Sequence, residues 1–196
     1  MTGHTKAKLF IVSAPSGSGK TTLCRKLLGS GLGLVDSVSM TTRLPRPGER
    51  NGDDYIFVTD AHFRREIRGG GFLEYEENFG HLYGTPKAFV EHNIRKGRSV
   101  LLNIDVKGAM KVARAYPAAS ILIFILPPSI RELKKRLHLR KSDSDQVIAK
   151  RLAIAKKEIS YKEKYDYRIV NDHIPQAYKK LKAIIEKEIR KGVGPS

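Results

Sequence analysis

The chain has 196 residues, 40% hydrophobic and 29% charged, with a formal net charge of +17 and a single cysteine. That length fits one domain with a buried core, and the composition excludes a disordered, collagenous or fibrous chain. No apolar run approaches the roughly 20 residues of a membrane span, "MTGHTKAK" lacks the apolar stretch of a secretion signal, and Cys24 has no partner for an internal disulfide; a cytoplasmic protein without membrane attachment is expected.

The first predicted element is "LFIVS", a short apolar run suited to a strand buried on both faces. "SAPSGSGKTT" follows, close to the G-x-x-x-x-G-K-[ST] pattern but with Ala14 where the first glycine stands. "TTLCRKLL" then reads as a helix with Leu23, Leu27 and Leu28 on one face. Such a loop aims backbone N–H groups at phosphate oxygens in front of a helix N-terminus. Pro15 fixes the turn, Gly17 and Gly19 remove side chains from it, and the backbone from Ser16 through Ser18 to Thr21 lines it. Lys20 supplies charge to the outer phosphates and Thr21 a hydroxyl to a magnesium ion. A bare turn between strand and helix is the alternative, but a turn has no need of lysine and threonine directly after glycine.

From about Ser37 to Lys96 the rhythm changes. "DYIFV", "FLEYEENFG" and "HLYGT" read as short antiparallel strands, with a helix "DAHFRREIR" among them and Asp60 as its expected N-cap. Arg43 and Arg46 sit in a proline-stiffened loop, and two guanidiniums held together suit a phosphate. Tyr55 and Tyr83 can add hydroxyl donors. Glu74 and Asp105 offer carboxylates, which accept two parallel hydrogen bonds of the kind guanine donates from one edge. Ser39 and Thr85 offer hydroxyls for the guanine carbonyl oxygen. Each has a plainer reading, as a solvated charge, an outward strand residue or a turn hydroxyl.

After the insertion, "SVLLNID" reads as a buried strand, "VKGAMKVARAY" as a helix, and "SILIFIL" as a strand stopped by Pro127 and Pro128. "SIRELKKRLHLR" is a helix with Ser129 as N-cap and Glu132 at the capping-box position. "LRKSDSDQ" is a polar connection between two helices. "YRIVND" is a last strand, and a helix with Leu181, Ile184, Ile185 and Ile189 on one face closes the chain. Alternating strands and helices imply an α/β fold with a parallel sheet, helices on both faces and right-handed crossovers. The positive charge admits nucleic-acid binding or lysine-rich solvated helices. The C-terminal helix has the second pattern and no aromatic-studded basic stripe is visible, so no specific nucleic-acid partner is expected.

Together, "SAPSGSGKTT", "VSMTTRLPRPGERNGDDYIFV", "GFLEYEENFGHLYGTP", "LNIDVKGA", "LPPSIRELKKRL" and "YDYRIVND" resemble the guanylate kinases, over essentially the whole chain. The resemblance implies a P-loop three-layer fold with a parallel central sheet, a small α+β GMP-binding insertion (37–96), a helical lid (129–150) and a core from 1–36, 97–128 and 151–196. It implies phosphoryl transfer from ATP to GMP with Mg²⁺, by a monomer or homodimer. The GMP phosphate would meet Arg43, Arg46, Tyr55 and Tyr83, and the base Ser39, Glu74, Thr85 and Asp105. ATP would meet Ala14 to Thr22, including Thr22 itself, with Lys20 as a catalytic charge, Thr21 toward the metal and Asn171 near the adenine. Arg136, Arg140 and Arg151 would gather around the transferred phosphate. Asn103 stands where an acid is common in the family, and Lys107 where glutamine is common. Two rivals remain: a non-catalytic guanylate-kinase-like interaction module, opposed by the intact "GSGKTT", and a kinase for another nucleoside monophosphate, opposed by Glu74, Ser39 and Asp105.

Overall fold

A computed structural model of the chain describes residues 7–78, 80–139 and 144–191. In chain order the elements are β1 (Leu9–Ser13), α1 (Lys20–Leu28), β2 (Val35–Asp36), β3 (Met40–Thr41), β4 (Ile56–Phe57), α2 (Asp60–Arg68), β5 (Phe72–Asn78), β6 (His81–Pro86) and α3 (Lys87–Arg95). They continue with β7 (Val100–Asn103), α4 (Val106–Ala115), β8 (Ser120–Leu126), α5 (Ile130–Leu139), α6 (Asp145–Ile159), β9 (Tyr167–Val170) and α7 (Ile174–Lys191).

Five strands form a parallel sheet in the order β2-β7-β1-β8-β9. Its central strand β1 is fully buried, as its unbroken apolar run requires. Side chains alternate between two cores. Phe10, Val12, Leu101, Ile123 and Ile125 pack with Leu23 and Leu27 of α1 and Leu181 and Ile185 of α7. Leu9, Ile11, Val100, Leu102 and Phe124 pack on the other face with Val90 of α3 and Val106, Ala109 and Val112 of α4. Helices therefore cover both faces, and the β1–α1 junction lies at the carboxyl edge of the sheet, where open α/β sheets bind ligands.

The inserted segment carries a second sheet in the order β4-β3-β6-β5. It is mixed rather than wholly antiparallel: β3 pairs parallel with β4, while β6 runs antiparallel to both β3 and β5. The N-cap of α2 is Thr59, not Asp60; the Thr59 hydroxyl accepts from the His62 amide at 3.3 Å, and Asp60 opens the helix where its charge favours the dipole. Arg25 of α1 pairs with Asp54 of the insertion, tying it to the core.

Ser129 caps α5 as expected, its Oγ accepting from the Glu132 amide at 3.0 Å. Helices α5 and α6 share a small core of Leu133, Leu137, Ile148, Leu152 and Ala155. Helix α6 runs unbroken across the boundary expected between 150 and 151. Among the described residues no helix is long and apolar enough to cross a membrane.

Candidate active site

The loop from Ala14 to Gly19 leaves β1 and enters α1 at Lys20. Gly19 holds a left-handed backbone with φ of 86°, and a Cβ there would stand 2.4 Å from Asn171 Nδ2. That amide donates to the Ser18 carbonyl at 2.7 Å, in a buried contact. Asn171, expected beside an adenine, thus has its amide nitrogen committed to bracing the loop from below. Gly17 lies against Leu133 and Leu137, so the α5–α6 core presses on the loop from the other side.

Two clefts open on this loop. One, about 270 Å³, is lined by Ala14, Pro15, Thr21 and Thr22, with Ile154 and Glu158 of α6. The other, about 230 Å³, is lined by Ser39, Arg43, Tyr55, Tyr83 and Glu74. Ser16, Lys20, Arg46, Asn78, Asp105 and Arg151 line both. The clefts therefore meet at the Lys20 ammonium, with Arg46 arriving from the insertion and Arg151 from α6. Lys20 Nζ donates to the Ile104 carbonyl at 2.8 Å, and burial lowers its pKa against the pull of nearby acids. Arg151 also reaches the Ser16 hydroxyl at 3.5 Å.

In the second cleft Arg43 is pre-set. Its Nη2 lies 2.9 Å from both Glu49 oxygens, and its guanidinium stacks 5.3 Å from the Tyr55 ring centroid. Tyr55 and Tyr83 meet edge to face, 5.9 Å apart. Glu74 is only 7% exposed, and burial pushes its carboxyl up to about 7. Thr85 donates to Glu74 Oε1 at 2.6 Å. The Thr85 hydroxyl proton is thus directed at Glu74, and this residue orients the carboxylate instead of facing the cleft. Gly108 makes room for Glu74: a Cβ there would lie 2.4 Å from Glu74 Oε2.

Asp105 borders both clefts but also caps α4. Its Oδ1 accepts from the Gly108 amide at 2.8 Å, and its Oδ2 from Asn78 Nδ2 at 2.6 Å. Arg136 stands apart from the two clefts: it donates to the Asn171 and Asp172 carbonyls at 3.0 and 3.3 Å and tethers α5 to the end of β9. Arg140 lies outside the described residues.

Three further polar residues line the clefts: Glu76, Asn78 and Glu158. Glu76 and Asn78 follow Glu74 at period two on β5, so strand alternation alone could have found them. Glu158 lies seven residues after Arg151 on the same face of α6; burial pushes its carboxyl up to about 7, although Lys20 nearby favours its charge. Helical spacing was the available signal.

A strand, phosphate loop and helix under a parallel sheet, beside a second cleft with a buried carboxylate and paired arginines, define a P-loop nucleotide-binding protein of the nucleoside monophosphate kinase type. A family model described as guanylate kinase matches residues 6–188. The chain is 47% identical over 188 residues to a guanylate kinase of Wolbachia pipientis wMel, covering 96% of this chain and 94% of the relative. It is 43% identical to one of Caldanaerobacter subterraneus subsp. tengcongensis, covering 90% of this chain and 85% of the relative. The crystal structure of guanylate kinase from Anaplasma phagocytophilum superposes with a TM-score of 0.79 at 37% identity, covering 94% of this chain and 87% of that one. The chain belongs to the guanylate kinase family.

Proposed function

We propose that the protein transfers the γ-phosphoryl group of ATP to GMP, giving ADP and GDP. The observation that carries this reading is the meeting of the two clefts at Lys20, flanked by Arg46 and Arg151. One cleft presents a phosphate loop. The other brings paired arginines, suited to a phosphate, into one cleft with a buried carboxylate suited to a base.

The nucleophile, a GMP phosphate oxygen, is already an anion near neutral pH and needs no general base. The protein supplies alignment and positive charge for a loose, metaphosphate-like transition state. Lys20 is held by the Ile104 carbonyl at the cleft junction. Arg43 and Arg46 grip the GMP phosphate with Tyr55 and Tyr83 beside them. Arg151, with Arg140, adds charge as α5 and α6 close, and closure excludes water that would otherwise consume ATP. Arg136 acts through its tether to β9, holding the lid over the loop. Glu74, oriented by Thr85, accepts from the two donors on the guanine edge, with Ser39 at the carbonyl and Asp105 completing the pocket.

Thr21 lines the loop cleft and fits a magnesium ion. Among the described residues no group of three or more acids, cysteines or histidines could hold a metal alone, and Asn103 is neutral, so a magnesium ion here would be held by Thr21 together with the bound ATP. When bound, it would supply positive charge to the transferring phosphates. The segment 37–96 serves as the GMP-binding insertion and the α5–α6 region as the lid; a cytoplasmic location suits the substrates.

The test is product analysis. ATP and GMP incubated with enzyme and Mg²⁺ should yield ADP and GDP in equal amounts, and chelating the metal should stop both. ADP without GDP would mean hydrolysis and would overturn the reading.

A further inference from the structure

Strand β5 turns three side chains into the second cleft: Glu74, Glu76 and Asn78. The proposed function uses only the first. Cross-strand pairing gives Glu76 its level in the cleft. Glu74 stands opposite Thr85, the rung that faces the base. Glu76 stands opposite Tyr83, which lines the same cleft and meets Tyr55, the ring under the Arg43 guanidinium. Residues two apart on a strand are spaced about 6.8 Å. A nucleotide with its base at the Glu74 rung and its phosphate at Arg43 therefore passes its sugar alongside Glu76.

A bare carboxylate there would repel the phosphate. Two lysines of α4 prevent this. Lys111 Nζ lies 2.6 Å from Glu76 Oε1 and also donates to the Tyr75 carbonyl at 3.0 Å. Lys107 Nζ lies 3.7 Å from Oε2. Both lysines are on the outer side, 52% and 69% exposed, while the Glu76 side chain is only 15% exposed. The pair thus neutralises and orients Glu76 from behind. The Lys107 contact is too long for a full hydrogen bond, so Oε2 keeps acceptor capacity toward the cleft.

We propose that Glu76 accepts a hydrogen bond from the 2′-hydroxyl of the acceptor nucleotide and so makes this enzyme favour ribonucleotides over 2′-deoxyribonucleotides. The inference rests on the placement of GMP given above. A hydrogen bond to an ionised group is enough for a preference of roughly tenfold in kcat/KM. Lys107 has its role here as the partner that holds the carboxylate in place.

The experiment compares kcat/KM for GMP, 2′-deoxyGMP and 3′-deoxyGMP in the wild type and in Glu76→Ala, with calorimetric binding of each nucleotide alongside. Removing Glu76 returns two exposed lysines to water, and a melting curve checks the fold. The wild type should prefer GMP over 2′-deoxyGMP by about tenfold. Glu76→Ala should lose efficiency mainly with GMP, bringing that ratio close to one, while the ratio of GMP to 3′-deoxyGMP stays put. Normal GMP turnover with an unchanged GMP to 2′-deoxyGMP ratio in the variant would overturn the role of Glu76 and leave the kinase reading standing. A variant that changes only the 3′-deoxy ratio would overturn it too. If the wild type neither binds nor phosphorylates GMP, the kinase reading itself falls, and this inference with it.

Discussion

Replacing Glu74 with glutamine should damage catalysis and stabilise the protein at once. Glu74 is buried, with Oε1 fixed by Thr85 at 2.6 Å and Oε2 against Gly108. Glutamine keeps the shape but replaces one acceptor with a donor. Guanine then meets either a weaker acceptor or an N–H facing its own N–H. A lost hydrogen bond to a charged group costs about 1.5–3 kcal/mol, so kcat/KM for GMP should fall about 10- to 150-fold. AMP offers no donor pair to Glu74, so its poor rate should change little and the GMP to AMP ratio should shrink. Stability moves the other way. Burial raises the folded-state pKa of Glu74 from 4.5 to about 7, so the folded protein must bear the cost of ionising it as pH rises through that range. Stability from the neutral form is full below 4.5 and lost above about 7. At about 1.36 kcal/mol per unit, the cost reaches about 3 kcal/mol at pH 8. Glu74→Gln avoids it, so its melting temperature should exceed the wild type's by several degrees at pH 8, with little difference at pH 4. Steady-state kinetics with GMP and AMP, and calorimetric melting at both pH values, measure the two halves. An unchanged GMP to AMP ratio, or a variant less stable at pH 8 than at pH 4 relative to wild type, would refute the reasoning.

Lys20→Ala should cut kcat about 10²- to 10³-fold, as loss of one transition-state donor does, with a nearly unchanged melt; near-wild-type turnover would remove Lys20 from its role. Arg46→Lys should raise KM for GMP far more than KM for ATP, because a single ammonium cannot replace the paired geometry; an equal rise in both would argue against a dedicated phosphate site. Gly19→Ala should weaken ATP binding by driving a Cβ into the Asn171 amide, which titration calorimetry would detect; unchanged affinity would show that Asn171 does not brace the loop. Nucleic-acid affinity should be sequence-independent and fall steeply with salt; selective binding that survives physiological salt would give the positive charge another purpose.

The features legible in the sequence were local ones. Strand β1, the loop and α1 follow from one continuous stretch, and the Ser129 cap from a four-residue pattern. Even the alternation of sheet and helix needed only short windows. The missed or revised features depend on distant contacts. Asn171 meets Ser18 across 153 positions, and Arg136 reaches Asn171 across 35, so no spacing rule assigns their partners. Strands β3 and β4 have two residues each, too short for alternation to show, and their parallel pairing is set by the loop between them. Helix α3 leaves little trace in the sequence, because its only early signal is Pro86 and its buried face comprises just Val90 and Asn93. In the site, residue types suggested the chemistry of Glu74 and Thr85, but only their 2.6 Å contact shows that one serves the other.

The central claim is tested most directly by one coupled assay of ADP formation, run with ATP, Mg²⁺ and each of GMP, AMP, CMP and UMP as acceptor. The account predicts rapid, stoichiometric ADP and GDP formation with GMP and rates lower by roughly 10⁴-fold or more with the other three, because a buried carboxylate left unpaired penalises them. Comparable rates with AMP or a pyrimidine nucleotide, or no turnover with GMP, would contradict it.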